Sequence, residues 1–460
     1  MRKRARLTEP TKDEFDPEDY ISLLPDDILV SILSRLTLKE ATVTSKLSRR
    51  WRYLWTQVAG LDFDANDTLD RIAADPKLRS SERPKYINWV NRVVRQHRGP
   101  KLDAVRICFD LDKSSKCAID NWVKFAIAKG VQKLELDLLE NGETLRQPTR
   151  NYSFPYKQMS QCKRFSLKNV YSDFAPMQTG LKCLKALSLK CVNVSEEALN
   201  CFLSSCPVLK YISIHGSGDL VNVKVSGLSL MLKYLEIVFC LGIETIEISN
   251  VNLVSFSYLG PGINLIIKDV PMLDEISIGE GYSGLENNVF GQLSCCLYQL
   301  EVLTLDIYRP EENIKIFAFP ELPKLKQLIL KVGAWNDDSL LEFTSLIKAC
   351  PNLNRFVLQL IWMSPSKRRR KVLKAAKCSH QFLKLVEIVG YYGRTSDAEL
   401  VLYFIENAVA LQKIIIDPRN QILERSPIGI DQIKKEESAR KRAKKQLEAK
   451  KPPGVQLLIL

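Results

Sequence analysis

The sequence predicts an α/β fold: a small N-terminal unit of three helices followed by a solenoid, a curved parallel sheet with helices and loops outside. Three observations predict it. A six-residue pattern, L-x-x-L-x-L with apolar residues at the anchors, recurs thirteen times between Leu102 and Ile416. Capped helical segments stand between several of the matches. Ahead of them, residues 20–58 carry more apolar surface than a unit of about forty residues can bury in itself.

Residues 1–19 are polar, charged and interrupted by proline, and read as a disordered lead. Residues 20–60 hold the three helices. Pro25 sets φ for a first turn, and Asp26 and Asp27 put negative charge at that helix's positive end. Ile28, Leu29, Ile32, Leu33 and Leu36 then form one wide apolar face. Leu38 to Val43 can form a brief second helix. A third carries Leu47, Trp51, Leu54 and Trp55 at helical spacing, with Lys46, Arg49, Arg50 and Arg52 between them.

Residues 61–100 read as a connector in which Leu61-Asp62-Phe63-Asp64 could form a strand, with one helix opened by Pro84 and closed by Arg98-Gly99-Pro100. The repeats follow over residues 101–375. Their anchors run from Leu102-Val105-Ile107 through Val131, Cys162 and Leu184 to Leu411-Ile414-Ile416, with first positions 20 to 31 residues apart. One match arises by chance in a leucine-rich chain; thirteen in order do not. Ser195-Glu196-Glu197 caps a helix that ends at Cys206-Pro207, and Asp337-Asp338-Ser339 repeats the device before Cys350-Pro351. Repeats between Leu232 and Leu273 leave little room for a helix, so their turns should be tighter. Residues 376–420 read as the last repeats, with a helix over 396–408. In residues 421–460 a basic helix over 436–450 precedes an apolar strand, Val455 to Leu460, that would close the array's last edge.

Composition bounds the function. Apolar content of 45% and charged content of 26% are those of a soluble globular protein. No stretch approaches the roughly 18 uncharged apolar residues of a membrane span. The basic N-terminus has no apolar segment behind it, so no secretory signal is expected, and the nucleus or cytoplasm is the expected location. Twelve cysteines are scattered without C-x-x-C pairs, and His97, His215 and His380 are the only histidines, so neither a metal site nor a cofactor is expected. Cys206 and Cys350 read as small buried residues. The net charge of +14 gathers in Arg2–Arg6, Lys367–Lys377 and residues 434–451, leaving a near-neutral body. Surfaces that track phosphates spread charge more widely, so nucleic acid is the runner-up partner, as for a nuclear repeat scaffold binding through those clusters. No phosphate-binding loop and no triad of nucleophile and base is visible, so no catalytic residue is assigned.

The blocks Leu24-Pro25-Asp26-Asp27-Ile28-Leu29, Ile32-Leu33-Ser34-Arg35-Leu36 and Ser48-Arg49-Arg50-Trp51-Arg52-Tyr53-Leu54-Trp55 closely resemble the F-box. The array with its Cys-Pro-x-Leu junctions is similar to the plant F-box/leucine-rich-repeat group. His380–Tyr391 and Tyr403–Ile414 resemble the FBD segment of that group. One departure is Thr37, where many members have proline; it should loosen the start of the second helix.

The resemblance implies a substrate-recognition subunit of a cullin-based, SCF-type ubiquitin ligase, not itself an enzyme. Leu24, Pro25, Ile28, Leu29, Ile32, Leu33, Leu36, Trp51, Leu54 and Trp55 would dock a Skp-type adaptor, and through it a cullin scaffold. The repeats would hold an unidentified target protein. On each repeat strand, the residues that flank the last two anchors point away from the core. Arg164, Tyr211, His215, Tyr234, Glu236, Asp306, Lys331 and Arg355 are the candidates for target binding, with the two tyrosines in neighbouring repeats as anchors.

Overall fold

The computed structural model describes residues 20–21, 23–157, 181–279, 292–307, 320–333, 337, 339–361, 371–419 and 430–460. The repeat pattern becomes one parallel sheet of fourteen strands. Twelve of the thirteen matches lie on its strands, from Ala104–Cys108 to Lys413–Asp417. The third match, at Cys162, lies outside the described residues; Lys133–Asp137 pairs directly with Ala186–Lys190. The register is uniform, anchor beside anchor: Leu187 faces Ile212, and Ile212 faces Leu235. A repeat cannot bury its own apolar side, so stacked anchors build one continuous core. Leu187, Ile212, Phe256, Ile276, Leu303, Leu328, Phe356, Val386 and Ile414 are all fully buried.

The two ends of the sheet differ from expectation in one respect and agree in another. Gly60–Asp64, placed in the connector, is the first strand, paired in register with Ala104–Cys108. Val58, Leu61 and Phe63 fill the three anchors of the pattern, as Val131, Leu134 and Leu136 do, and all three are buried. The solenoid therefore begins directly behind the helical unit. At the far end Gln456–Ile459 pairs in parallel with Lys413–Asp417, as the closing-strand expectation has it.

The connector holds more helix than expected. Asn66–Ala74 is helical, and the helix assigned to Pro84 begins earlier and runs Arg79–Gln96 with that proline inside. Arg79 and Arg83, ahead of Pro84 on that helix, bond the buried Asp110, and this tertiary anchorage holds the early turns.

Between the helix Glu196–Ser205 and Leu273, repeats of 20 to 23 residues have no space for a helix. Short strands Asn222–Ser226, Thr245–Ser249 and Asn264–Lys268 stand there and form a second parallel sheet. Elsewhere helices cover the core. Ser195 caps Glu196–Ser205 by accepting from Ala198 N. Ser339 caps a short turn at Leu340–Phe343. Asp337, expected to do the same, instead accepts from the backbone N–H groups of Thr395 and Ser396 and so caps a later helix, Thr395–Asn407. Asp338 lies outside the described residues. Cys206 and Cys350 are buried at 3% and 1% exposure.

Candidate docking unit and target face

The N-terminal unit is two α-helices and two 3-10 segments. The first helix is Asp26–Leu33 and the second Leu38–Val43. Thr37 corrects the expectation drawn from its departure: it is the N-cap of the second helix. Its hydroxyl accepts from Glu40 N, while the Glu40 carboxylate accepts from Thr37 N at 2.9 Å. This capping box tightens the helix start. The expected third α-helix is a 3-10 turn at Thr44–Lys46 and another at Trp51–Gln57. With three residues per turn, Trp51 and Leu54 share a face, as do Trp55 and Val58, and all four are buried. Arg50 returns to the first helix, donating to Asp26 Oδ1 at 2.8 Å and to the Leu24 carbonyl.

The apolar face read from the sequence divides in two. Leu29, Leu33, Trp51, Leu54 and Trp55 lie between 0% and 7% exposed and join a core continuous with that of the solenoid. They hold the unit together and offer a partner little surface. Ile28, Ile32 and Leu36 are 44%, 42% and 41% exposed and face outward. Pro25 is exposed and Leu24 half-buried. Tyr20, Ile21, Leu23, Val43 and Leu47, which the residue list omitted, are also exposed and extend the apolar surface. Helical spacing separates the halves: Leu29 and Leu33 are four apart on one side, Ile28 and Ile32 four apart on the next.

The unit is fixed to the array by buried bonds. The Thr56 carbonyl accepts from Arg98 N and Gly99 N, Ala59 O accepts from Asp103 N at 2.7 Å, and His97 Nε2 contacts Val58 O at 3.0 Å. Lys129 donates to Gly99 O at 2.6 Å. Burial pushes the His97 imidazole's pKa down, which keeps it neutral there. A second joint ties the helix Arg79–Gln96 to the loops after the next strands. Asp110, fully buried, accepts from Arg79, Arg83 and Arg146, and Arg83 also reaches Asp112 at 2.8 Å. Burial raises the Asp110 pKa, but the guanidiniums outweigh it and hold the carboxyl below its ordinary value.

On the sheet, positions one, three and five of each strand point away from the core. Tyr211, His215, Tyr234 and Glu236 come together there on adjacent strands. Glu236 Oε2 accepts from Ser213 Oγ at 2.8 Å and Tyr211 OH at 3.1 Å, and lies 3.3 Å from His215 Nε2. The His215 bond does most to lower the Glu236 pKa. Burial opposes it, Ser213 and Tyr211 assist, and the carboxyl rests at about 2. The Tyr211 and Tyr234 rings lie 6.4 Å apart, with Tyr234 45% exposed. Ser213 and Glu236 both meet Nε2 of His215, so the imidazole cannot relay a proton from one to the other as a triad requires. This is a polar platform with an aromatic edge, suited to recognition.

Asp306, Lys331 and Arg355 form a second group, three strand steps further on, about 14 Å away at the usual strand spacing. Asp306 faces Lys331 in register, and Arg355 donates to Glu387 at 2.7 Å. Arg164 lies outside the described residues. Glu387 was missed, as were the partly exposed apolar residues Ile329 and Ile415, although continuing the same position count would have found them. Among the described residues no group of three or more His, Cys, Asp or Glu side chains is placed to hold a metal ion. No described helix is long and apolar enough to cross a membrane.

Comparison with known proteins matches these two parts. The F-box domain family fits residues 21–60, and the At1g61320/AtMIF1-type LRR domain family fits residues 93–460. An F-box/FBD/LRR-repeat protein of Arabidopsis thaliana, At2g04230, is 27% identical over 86% of this chain and 88% of its own length. A putative FBD-associated F-box protein of the same plant, At1g05080, is 26% identical over 93% of this chain and 97% of its own.

Proposed function

The chain belongs to the plant F-box/FBD/leucine-rich-repeat proteins, and from that premise we propose that it is the non-catalytic substrate-recognition subunit of a cullin-based ubiquitin ligase. The observation that carries the reading is the outward row Ile28, Ile32 and Leu36 on a unit whose other apolar face is already used. That row, with Leu24 and Pro25 at its start, docks a Skp-type adaptor. The adaptor brings a cullin scaffold and a ubiquitin-charged enzyme. The sheet face, centred on Tyr211, His215, Tyr234 and Glu236 with Asp306, Lys331 and Arg355 beyond, holds a target protein. Ligation is accelerated because target lysines sit at high effective concentration near the charged enzyme. The nucleus or cytoplasm is where such a complex would work.

The test is direct binding of the purified full-length protein to a Skp-type adaptor. Leu24→Ala with Ile28→Ala should weaken it strongly. Failure of the wild-type protein to bind, or unchanged binding by the double variant, would sink the reading. Capture under proteasome inhibition, with Tyr234→Ala as comparison, tests the target face: candidates that drop out with the variant are held there.

A further inference from the structure

The far end of the solenoid is built differently from its interior. Every inner strand has a neighbour on both sides, but among the described residues nothing pairs with the outer edge of Gln456–Ile459. Gln456 N and Leu460 N donate to Gln412 O and Ile416 O, so these residues spend their backbone groups on the inner neighbour. In a parallel strand the alternate residues turn theirs the other way, which leaves Leu457 and Ile459 with N–H and C=O at the open edge. Their side chains stand in register with Ile414 and Ile416, which are fully buried, yet Leu457 and Ile459 are only partly buried. The end of the core is only partly covered.

Beside this edge runs the helix Ile430–Leu447. Its inner face is seated: Ala439, Ala443 and Leu447 are fully buried, and Tyr391 OH donates to Gln446 at 2.7 Å. Arg440 is drawn to the Leu460 carbonyl at 2.6 Å. The outer face carries Lys441, Lys444 and Lys445, all exposed. A groove of about 410 Å³ lies between helix and strand, floored by Leu457 and Ile459 and walled by Arg440, Lys441, Lys444 and Lys451. Glu448 supplies the one acidic side chain there, 3.9 Å from Lys444.

We propose that this edge receives an extended, acidic segment of a partner protein as a fifteenth strand. Main-chain bonds to Leu457 and Ile459 would supply pairing, aliphatic side chains of the segment would complete the cover of that floor, and its carboxylates would meet the lysines. Charge selects this occupant. A second copy adding edge to edge would bring two such basic helices together. A nucleic acid strand would satisfy the lysines but cannot pair with the strand edge. The site is at the opposite end of the sheet from the docking helices and does not depend on the adaptor reading.

The probe is a fluorescein-labelled peptide, Glu-Glu-Val-Thr-Val-Glu-Glu, titrated with the full-length protein and read by anisotropy. Its two valines and outer glutamates share one face of a strand. Saturable binding is expected, weakened roughly tenfold or more by Lys441→Glu with Lys444→Glu, on the exposed helix face. Ile459→Pro, which removes one edge N–H and spares the inner ladder, should also weaken it. Glu-Glu-Pro-Thr-Pro-Glu-Glu has the same charge but cannot pair, and should bind far less. The proposal is overturned if the proline peptide or a single-stranded oligonucleotide binds as well, if the valine peptide does not bind, or if the protein runs as a dimer that Ile459→Pro dissociates.

Discussion

Replacing Ile28, Ile32 and Leu36 together by alanine separates docking from folding. Burying an aliphatic side chain fully stabilises by about 1.5–3 kcal/mol. Each of the three keeps a little over two-fifths of its surface exposed in the free chain. Covering that fraction in a complex is worth about 0.6–1.3 kcal/mol per residue, or about 2–4 kcal/mol for the row. Affinity for a Skp-type adaptor should therefore fall by roughly thirtyfold to several hundredfold. The fold should be largely spared, because the neighbouring face holds the unit together. Leu29→Ala is the complementary change. Leu29 is fully buried, so its truncation should cost about 2–5 kcal/mol of stability. Calorimetric titration against the adaptor, paired with denaturant melts of each variant, resolves the two effects. Wild-type affinity in the triple variant, or lost affinity in Leu29→Ala without lost stability, would refute the division of the face.

Asp110→Ala should destabilise the chain by about 3–5 kcal/mol in urea unfolding, because it strands the buried Arg146 beside Arg79 and Arg83. Glu236→Gln should show a pH signature. The folded carboxyl titrates at about 2, below the ordinary 4.5, so its contribution is present above 4.5 and fades as pH falls toward 2. The gap in melting temperature between wild type and variant should narrow over that window, and a constant gap would contradict the network. Burial pushes the Cys206 and Cys350 thiols up to about 12, whereas Cys117, Cys183 and Cys295 are exposed. A thiol reagent applied to native protein should label the exposed three quickly and the other two only on unfolding.

The solenoid was legible because its signal repeats: each anchor must bury, and a stack of anchors repeats the constraint at every turn. Leu61 to Asp64 were legible as a strand but not as the opening repeat of the array, although Val58, Leu61 and Phe63 fill its three anchors. The short strands from Asn222 to Lys268 were read only as missing length. Val223-Lys224-Val225 and Ile246-Glu247-Ile248 alternate as strands do, but segments this short hold only when neighbouring repeats supply their hydrogen bonds. The third helix failed for a related reason: Leu47, Trp51, Leu54 and Trp55 fit a spacing of four, but packing of the two tryptophans selects the tighter winding. Asp337 shows the limit of local capping rules. Its sequence neighbours offer a helix start, yet it bonds the helix that begins at Thr395. For the binding surfaces, the pattern located the outward positions. It could not tell which of them share a carboxylate, as Tyr211 and Ser213 share Glu236, because that depends on side-chain reach across the ladder.

On the proposed role, the splice at Val58–Gly60 would decide which lysines of a captured protein receive ubiquitin. The last turn of the docking unit passes into the first strand of the sheet with only Val58 and Ala59 between, and both carbonyls are hydrogen-bonded to the array. No tether lets the captured protein swing. On the proposed role, the chain acts as a ruler. It sets one standoff between the recognition face and the donor enzyme, and only lysines at that height and bearing are presented. Gly-Ser residues inserted between Val58 and Gly60 would leave both binding events intact and spread modification over neighbouring lysines.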